Sequence, residues 1–305
     1  MSTVNMARER SLYATSIERY QPKLKRDISK MRAQISSGRR ILRPSDDPDS
    51  FAVAEQMESL GRRFERYEAS IENAKPWVDQ TQETLDGMAE LFMQAKEDGV
   101  RAATDGRSNA DRDAIADSLR SLRDEVVDRL NATHNGEYLF AGTRTNDAPF
   151  DPTTTPPGQP TTNYNDIDDA RTRPIGPNQK MTINISGREL HQMDSGQTIT
   201  GALDALITAV DNDDVSGIQN ELDTIEAARE HVVSNGAKSG SIARRLSTAN
   251  DQLQSAKINV ERQRSDAEDT DYLKTVSSLQ QTQTQLQAAL RATASSIQTS
   301  LVDFL

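Results

Sequence analysis

The chain has 305 residues, with 36 Lys and Arg against 47 Asp and Glu, and so a formal net charge of −11. That balance argues against nucleic acid or an anionic membrane as the main partner, because both repel an acidic chain. Leu, Ile, Val and Phe together supply only 58 residues, near the limit below which a chain cannot bury enough apolar surface to offset its ordering entropy. The composition favours an elongated, helix-rich molecule with narrow apolar stripes completed by partner subunits over a compact enzyme.

Cysteine is absent, which excludes disulfides, thiolate nucleophiles and Cys-ligated metals. No run approaches the roughly 18 apolar residues of a membrane span. The first thirty residues carry charges throughout, without the apolar core of a signal peptide. Sec export is therefore not expected, and cytoplasmic residence and a different export route both stay open.

In chain order, Ile17, Tyr20, Leu24, Ile28, Met31 and Ile35 follow helical steps of three and four and end at Ser36-Ser37-Gly38, a helix stop. In Arg43-Pro44-Ser45-Asp46-Asp47-Pro48, Asp47 suits an N-cap and Pro48 the first helical position. Helical periodicity resumes through 51–80, 85–100 and 115–130, with a turn at Asp105-Gly106 between the last two.

Seven of the eleven prolines then fall between Pro149 and Pro177, where no helix can form. Behind them Met181, Ile183 and Ile185 alternate through 180–186 as a short half-buried strand. Residues 140–200 read as a small β or irregular insert. With one short strand and little apolar material, it is expected to make few contacts with the helices and to be replaceable at slight cost in stability. A helical segment follows at 200–234, carrying Leu203, Leu206, Val210, Ile218, Leu222 and Ile225.

After Gly240 there is neither Gly nor Pro. Leu246, Leu253 and Val260 repeat at seven, and Val276, Leu279, Gln283, Leu286, Leu290, Ala294, Ile297, Leu301 and Phe304 continue a stripe in steps of three and four. Between them, 261–271 is acidic and lacks the stripe, a place for the helix to break or fray. Such a stripe is either intramolecular core or a coiled-coil seam, and its narrowness favours the seam.

Little here resembles a chemical site. His134, His191 and His231 are scattered without metal-ligand spacing, and read as solvated or core residues. Asp46-Asp47-Pro48-Asp49 is accounted for by capping. Asp211-Asn212-Asp213-Asp214 opens like a calcium loop, but Ser216 stands where the sharp turn needs Gly and Leu222 where a bidentate carboxylate is required. No phosphate-binding glycine loop, nucleophile elbow or Ser/His/Asp signature occurs. Trp77 is the only tryptophan, which leaves little for a stacking surface. No enzyme, cofactor or metal is expected.

Three segments carry a family resemblance. The run Ile35-Ser36-Ser37-Gly38-Arg39-Arg40-Ile41-Leu42-Arg43-Pro44-Ser45-Asp46-Asp47-Pro48 resembles the N-terminal block of the bacterial flagellin superfamily. Its Arg-Pro-Ser-Asp-Asp-Pro form is closest to the hook-associated protein 3 branch, the hook–filament junction proteins. Asn135-Gly136-Glu137-Tyr138-Leu139-Phe140-Ala141-Gly142-Thr143-Arg144-Thr145 and the C-terminal Ser300-Leu301-Val302-Asp303-Phe304-Leu305 resemble the same branch.

The resemblance implies an extracellular structural subunit of the bacterial flagellum, exported uncleaved through the flagellar type III apparatus. Its partners would be copies of itself, the hook-side junction protein, flagellin and an export chaperone. Filament flagellin and, from another class, a cytoplasmic coiled-coil scaffold are the alternatives. The expected fold is mainly α, a rod of long helices with a paired terminal coiled coil (1–45 and 245–305), a helical rod domain (46–140 and 196–244) and a β-rich outer insert (141–195). The residues expected at subunit contacts are Ile17, Leu24, Ile28, Met31, Ile35, Val276, Leu279, Leu286, Leu290, Ile297, Leu301 and Phe304.

Overall fold

A computed structural model describes the backbone of residues 2–104 and 109–302 and the side chains of 20–104 and 110–294. The fold is mainly α. Four long helices carry most of it: α1 (Ser2–Ser37), α2 (Pro48–Ala102), α6 (Val215–Glu268) and α7 (Tyr272–Val302). Two shorter helices, α3 (Asn109–Leu130) and α5 (Ile199–Asp211), flank the central insert, which holds the one-turn α4 (Gly187–His191). Chain contacts divide into two compact units, 1–63 with 256–305 and 64–255.

The helix limits follow local chemistry. Gly38 takes φ +73°, a left-handed conformation that ends α1 where glycine has no Cβ to clash. Asp47 caps α2: its carboxylate accepts from the Ser50 N–H at 3.2 Å, its carbonyl accepts from Phe51 N–H at 3.0 Å, and Pro48 sits in the first turn, where no N–H is needed. The helix then runs through Pro76 to Ala102, so that 51–80 and 85–100 form one element.

The segment 200–234 is two helices. Asn212 closes α5, Asp213 takes φ +54°, and Asp214 caps α6 by accepting from Gly217 N–H at 2.9 Å. The acidic stretch breaks the C-terminal helix at 269–271, between α6 and α7.

In the central unit α2 and α6 lie antiparallel. The Ser239 hydroxyl donates to the Val78 carbonyl at 3.3 Å, Gln254 to Glu68 at 3.5 Å, and Lys96 to Glu226 at 3.0 Å. Arg229, then Lys96, hold the Glu226 carboxyl down at about 2. Leu246 and Leu253 are buried on the seven-residue repeat. Helices α3 and α5 are tied by Arg120 to Asp211 at 2.6 Å and Arg123 to Asp204 at 3.1 Å.

The insert is not a loosely attached lobe. A two-stranded antiparallel ribbon, β1 (Thr133–His134) with β2 (Glu137–Tyr138), precedes it, and two more lie within it: β3 (Phe150–Asp151) with β4 (Gln159–Pro160), and β5 (Thr172–Gly176) with β6 (Gln179–Thr182). The expected strand is shorter than 180–186. Met181, Ile183 and Ile185 are all buried as the alternation requires, but 183–186 leave the ribbon to enter α4, capped by Ser186.

Phe150, Ile167 and Leu190 are at most 2% exposed. The Asn131 side chain, just past α3, accepts from the Phe150 N–H at 3.0 Å and donates to its carbonyl at 2.8 Å. Arg171 stacks over the Trp77 ring of α2 at 4.1 Å and pairs with Glu137 at 2.6 Å, while Glu189 binds Lys238 at 2.6 Å. The few contacts expected between insert and helices are thus many, because isolated apolar residues along the insert converge on one interior.

Candidate subunit interface

The motif Arg43-Pro44-Ser45-Asp46-Asp47-Pro48 builds a corner of the terminal unit. Asp46 accepts from the N–H groups of Leu42 and Arg43, both at 3.1 Å, and from Lys30 Nζ at 2.7 Å. The Lys30 hydrogen bond and those N–H donors hold its carboxyl below the usual range. Asp47 is lowered in the same direction by Ser50 and then Arg40.

Arg40 fastens this corner to the break between α6 and α7. Its N–H donates to the Glu268 carbonyl at 2.6 Å and its guanidinium to the Ala267 carbonyl at 2.7 Å. Arg39 bridges Asp269, and Thr270 N–H donates to the Gly38 carbonyl at 2.8 Å. Asp46 and Asp47, which resembled part of a cation site, are thus engaged in capping and ion pairs, and the carboxylates at 211–214 are spent likewise.

From this corner α1 and α7 pair side by side. Gln21 Nε2 donates to Thr293 Oγ1 at 3.0 Å at the far end, so the two helices are antiparallel. The pairing sorts the expected contact residues. Leu24 and Ile28 are buried within the chain, at 4% and 7% exposure. Met31, Ile35, Val276, Leu279 and Leu286 are half-buried. Leu290 remains 45% exposed, and Tyr20 is exposed also. The side chains of Ile17, Ile297, Leu301 and Phe304 lie outside the described residues.

One stripe therefore does two jobs: part of it closes the helix pair and part stays open to solvent. Tyr272 and Leu273, at the start of α7, and Ile258 add exposed apolar surface that periodicity did not single out. The available signal was Leu273, which stands three residues ahead of Val276 on the same stripe.

The histidines occupy different settings. His134 meets the edge of Trp77, His231 lies by the Glu189 carbonyl at 2.8 Å, and His191 is fully buried between the Tyr164 and Thr200 hydroxyls at 2.7 and 2.8 Å. Among the described residues no three His, Cys, Asp or Glu side chains gather where a metal ion could sit, and no helix is long and apolar enough to cross a membrane.

Two long terminal helices folded back on one another, with apolar positions left open along them, define a helical protein whose apolar stripe is only partly covered within the chain. The family models for the bacterial flagellin N-terminal helical region, over residues 11–145, and the bacterial flagellin C-terminal helical region, over 222–305, both match. The chain belongs to the bacterial flagellin family.

Within that family it is similar to flagellar hook-associated protein 3 of Salmonella typhimurium, at 26% identity over 86% of this chain and 88% of the relative. Flagellin B of Helicobacter pylori matches at 26% over 40% of this chain and 24% of its own length. Among solved structures, a flagellar hook-associated protein from Vibrio parahaemolyticus superposes with a TM-score of 0.66 at 21% identity, covering 73% of this chain and 100% of the other. The flagellar junction protein of Legionella pneumophila gives 0.59 at 11%, covering 71% and 100%. These two structures share the fold.

Proposed function

We propose that this chain is a structural, non-catalytic subunit of the extracellular bacterial flagellum that joins hook to filament. The observation that carries the reading is the extent of the similarity. The hook-associated relative aligns over nearly the whole of both chains, whereas the Helicobacter flagellin aligns over a quarter of its own length. In this reading the terminal helices, 1–45 with 245–305, supply the axial contacts and the insert at 141–195 faces outward.

Neighbouring axial proteins (copies of this chain, the hook-side junction protein, flagellin) cover the half-buried Met31, Ile35, Val276, Leu279 and Leu286 and the exposed Leu290. Burial contributes about 25 cal/mol per Å² of apolar area removed from water. A helix pair with so narrow a seam is marginal by itself, which also favours an export chaperone that shields it before type III secretion.

Immunogold labelling of purified hook–filament structures tests the assignment. One band at the junction is the expected result. Label along the whole filament supports the flagellin alternative, and label only in the cytoplasm supports the scaffold.

A further inference from the structure

The terminal unit carries an unusual concentration of positive charge. Residues 20–43 contain eight Lys and Arg and a single carboxylate, Asp27, in a chain whose net charge is −11. Part of this charge lines a groove of about 520 Å³ between α1 and the corner at 42–46. Within the groove Lys30 and Asp46 neutralise each other at 2.7 Å. Lys25, Arg26 and Arg43 are exposed and without an ion-pair partner among the described residues. Ala33, the half-buried Leu42 and one further carboxylate, Asp27, also line the groove.

The opposite surface exists in the central unit. Asp79, Glu83, Asp86 and Glu90 stand at steps of four, three and four along α2, all exposed. They line a shallow groove with Gln82 and one cation, Arg129, which is already paired with Glu125 at 3.3 Å. Among the described residues none of the four is in an ion pair. At 1.5 Å per residue this stripe is roughly 16 Å long, and the Lys25–Ala33 side of the groove roughly 12 Å, so the two are comparable in length.

We infer that the basic groove of α1 receives the acidic α2 stripe of a second copy of this chain. This rests on the reading of the chain as an axial subunit. Because the two surfaces differ, the contact is heterologous: each copy offers a groove to one neighbour and a stripe to the other, which yields a ring or an open helix rather than a closed pair. Exposed ion pairs each add little. Their effect is on encounter and register, where like charge at a wrong alignment is repelled and opposite charge steers the right one. The apolar seam supplies adhesion and the charged surfaces choose the neighbour.

Charge reversal with rescue tests the contact, in a strain lacking the native chain, read as the amount of chain retained on isolated flagella relative to that secreted. Lys25→Glu with Arg26→Glu is expected to lower retention roughly tenfold, and Asp79→Lys with Asp86→Lys likewise. A chain carrying all four changes should recover most of the loss. Lys25→Gln with Arg26→Gln, which removes charge without reversing it, should lose less than the reversal. Circular dichroism melts of the purified full-length variants separate misfolding from misassembly.

Wild-type retention of either double reversal overturns the inference. So does loss in both pairs without recovery in the fourfold variant, an outcome that assigns the groove to a different acidic partner. If the wild-type chain is retained elsewhere on the flagellum and the swap still rescues, the junction assignment fails and the contact stands. If label sits at the junction and the swap does not rescue, the reverse holds.

Discussion

The terminal and central units differ in what holds them. Among the described residues, every large side chain that is essentially inaccessible, including Ile71, Leu85, Phe92, Phe140, Phe150 and Leu190, lies in the central unit. The described part of the terminal unit buries only Leu24, Ile28, Ile41, Ala54 and Val260 among apolar residues, each at 4–7% exposure. Both are built from long helices, so helix content does not distinguish them. The difference is convergence: the central helices enclose side chains from several directions, and the terminal helices meet along a line. A low overall apolar fraction therefore coexists with a well-packed interior, because the apolar residues are unevenly shared.

The sharpest way to break this contrast is to remove the insert. Replacing 147–190 with a Gly/Ser linker deletes Phe150, Ile167, Ile183, Ile185 and Leu190 from the interior. At about 2–5 kcal/mol for each large-to-small change, the loss exceeds the roughly 5–15 kcal/mol that holds a domain together. The cooperative melt of the central unit should disappear. A variant melting within a few degrees of the parent would show that the interior does not depend on the insert. The graded form is Phe150→Ala, expected to cost about 3–5 kcal/mol in urea titration, against less than about 2 kcal/mol for Leu24→Ala in the terminal pair.

Acid should act on the central unit through His191. Burial pushes its imidazole down to about 4 from an ordinary value near 6.5. The unfolded chain takes up this proton as pH falls through about 6.5, and the folded chain takes it up only near 4. Stability contributed by the neutral ring is thus complete above 6.5 and lost progressively down to about 4, by an amount on the order of 3 kcal/mol. Urea midpoints at pH 7 and pH 4.5 measure it. His191→Gln should flatten that dependence while costing stability at pH 7.

Arg171→Ala removes the stack on Trp77 and the pair with Glu137, and should cost about 1–2 kcal/mol. Arg171→Lys keeps the charge but loses the planar stack, and should fall between. Equal melting temperatures for all three would remove the clamp from the account.

The smallest effect on the isolated chain is expected at Leu290, which is already 45% exposed. Leu290→Asp should leave the melt almost unchanged yet block incorporation into flagella, since a carboxylate in a closed seam must be desolvated without a partner. Normal motility would show that this part of the stripe is not an assembly surface.

What could be read from the residues alone followed the range of the interaction. Stops and caps are local, so Gly38, Asp47 and Pro48 marked helix ends directly, and the acidic 261–271 stretch contained the break at 269–271. Periodicity found the faces of α1, α3, α6 and α7. It could not say how α1 and α7 share a stripe, because the burial of Leu24 and the exposure of Leu290 depend on where the partner helix crosses.

The break after α5 lay hidden in Asp211-Asn212-Asp213-Asp214, whose carboxylates suggested an ion before they suggested caps. The insert misled most. Phe150, Ile167 and Leu190 are scattered among prolines and polar residues, and nothing nearby in sequence shows that Asn131 and Trp77 wait to receive their neighbourhood. The basic groove exists only once the corner at 42–46 folds beside α1, which no local pattern indicates.

Trp77 has one more consequence, an optical one. It is the sole indole of the chain, 3% exposed, with the Arg171 guanidinium over its face and His134 at its edge. Its fluorescence is therefore a built-in reporter on the seating of the insert against α2, with no competing emitter of the same kind. A labelled or mutated seam leaves that light unchanged so long as the central unit stays whole. Subunits recovered from assembled flagella can be compared with free chains by emission wavelength alone, and a shift on assembly reports either the α2 stripe that begins two residues away at Asp79 or terminal contacts felt at residue 77.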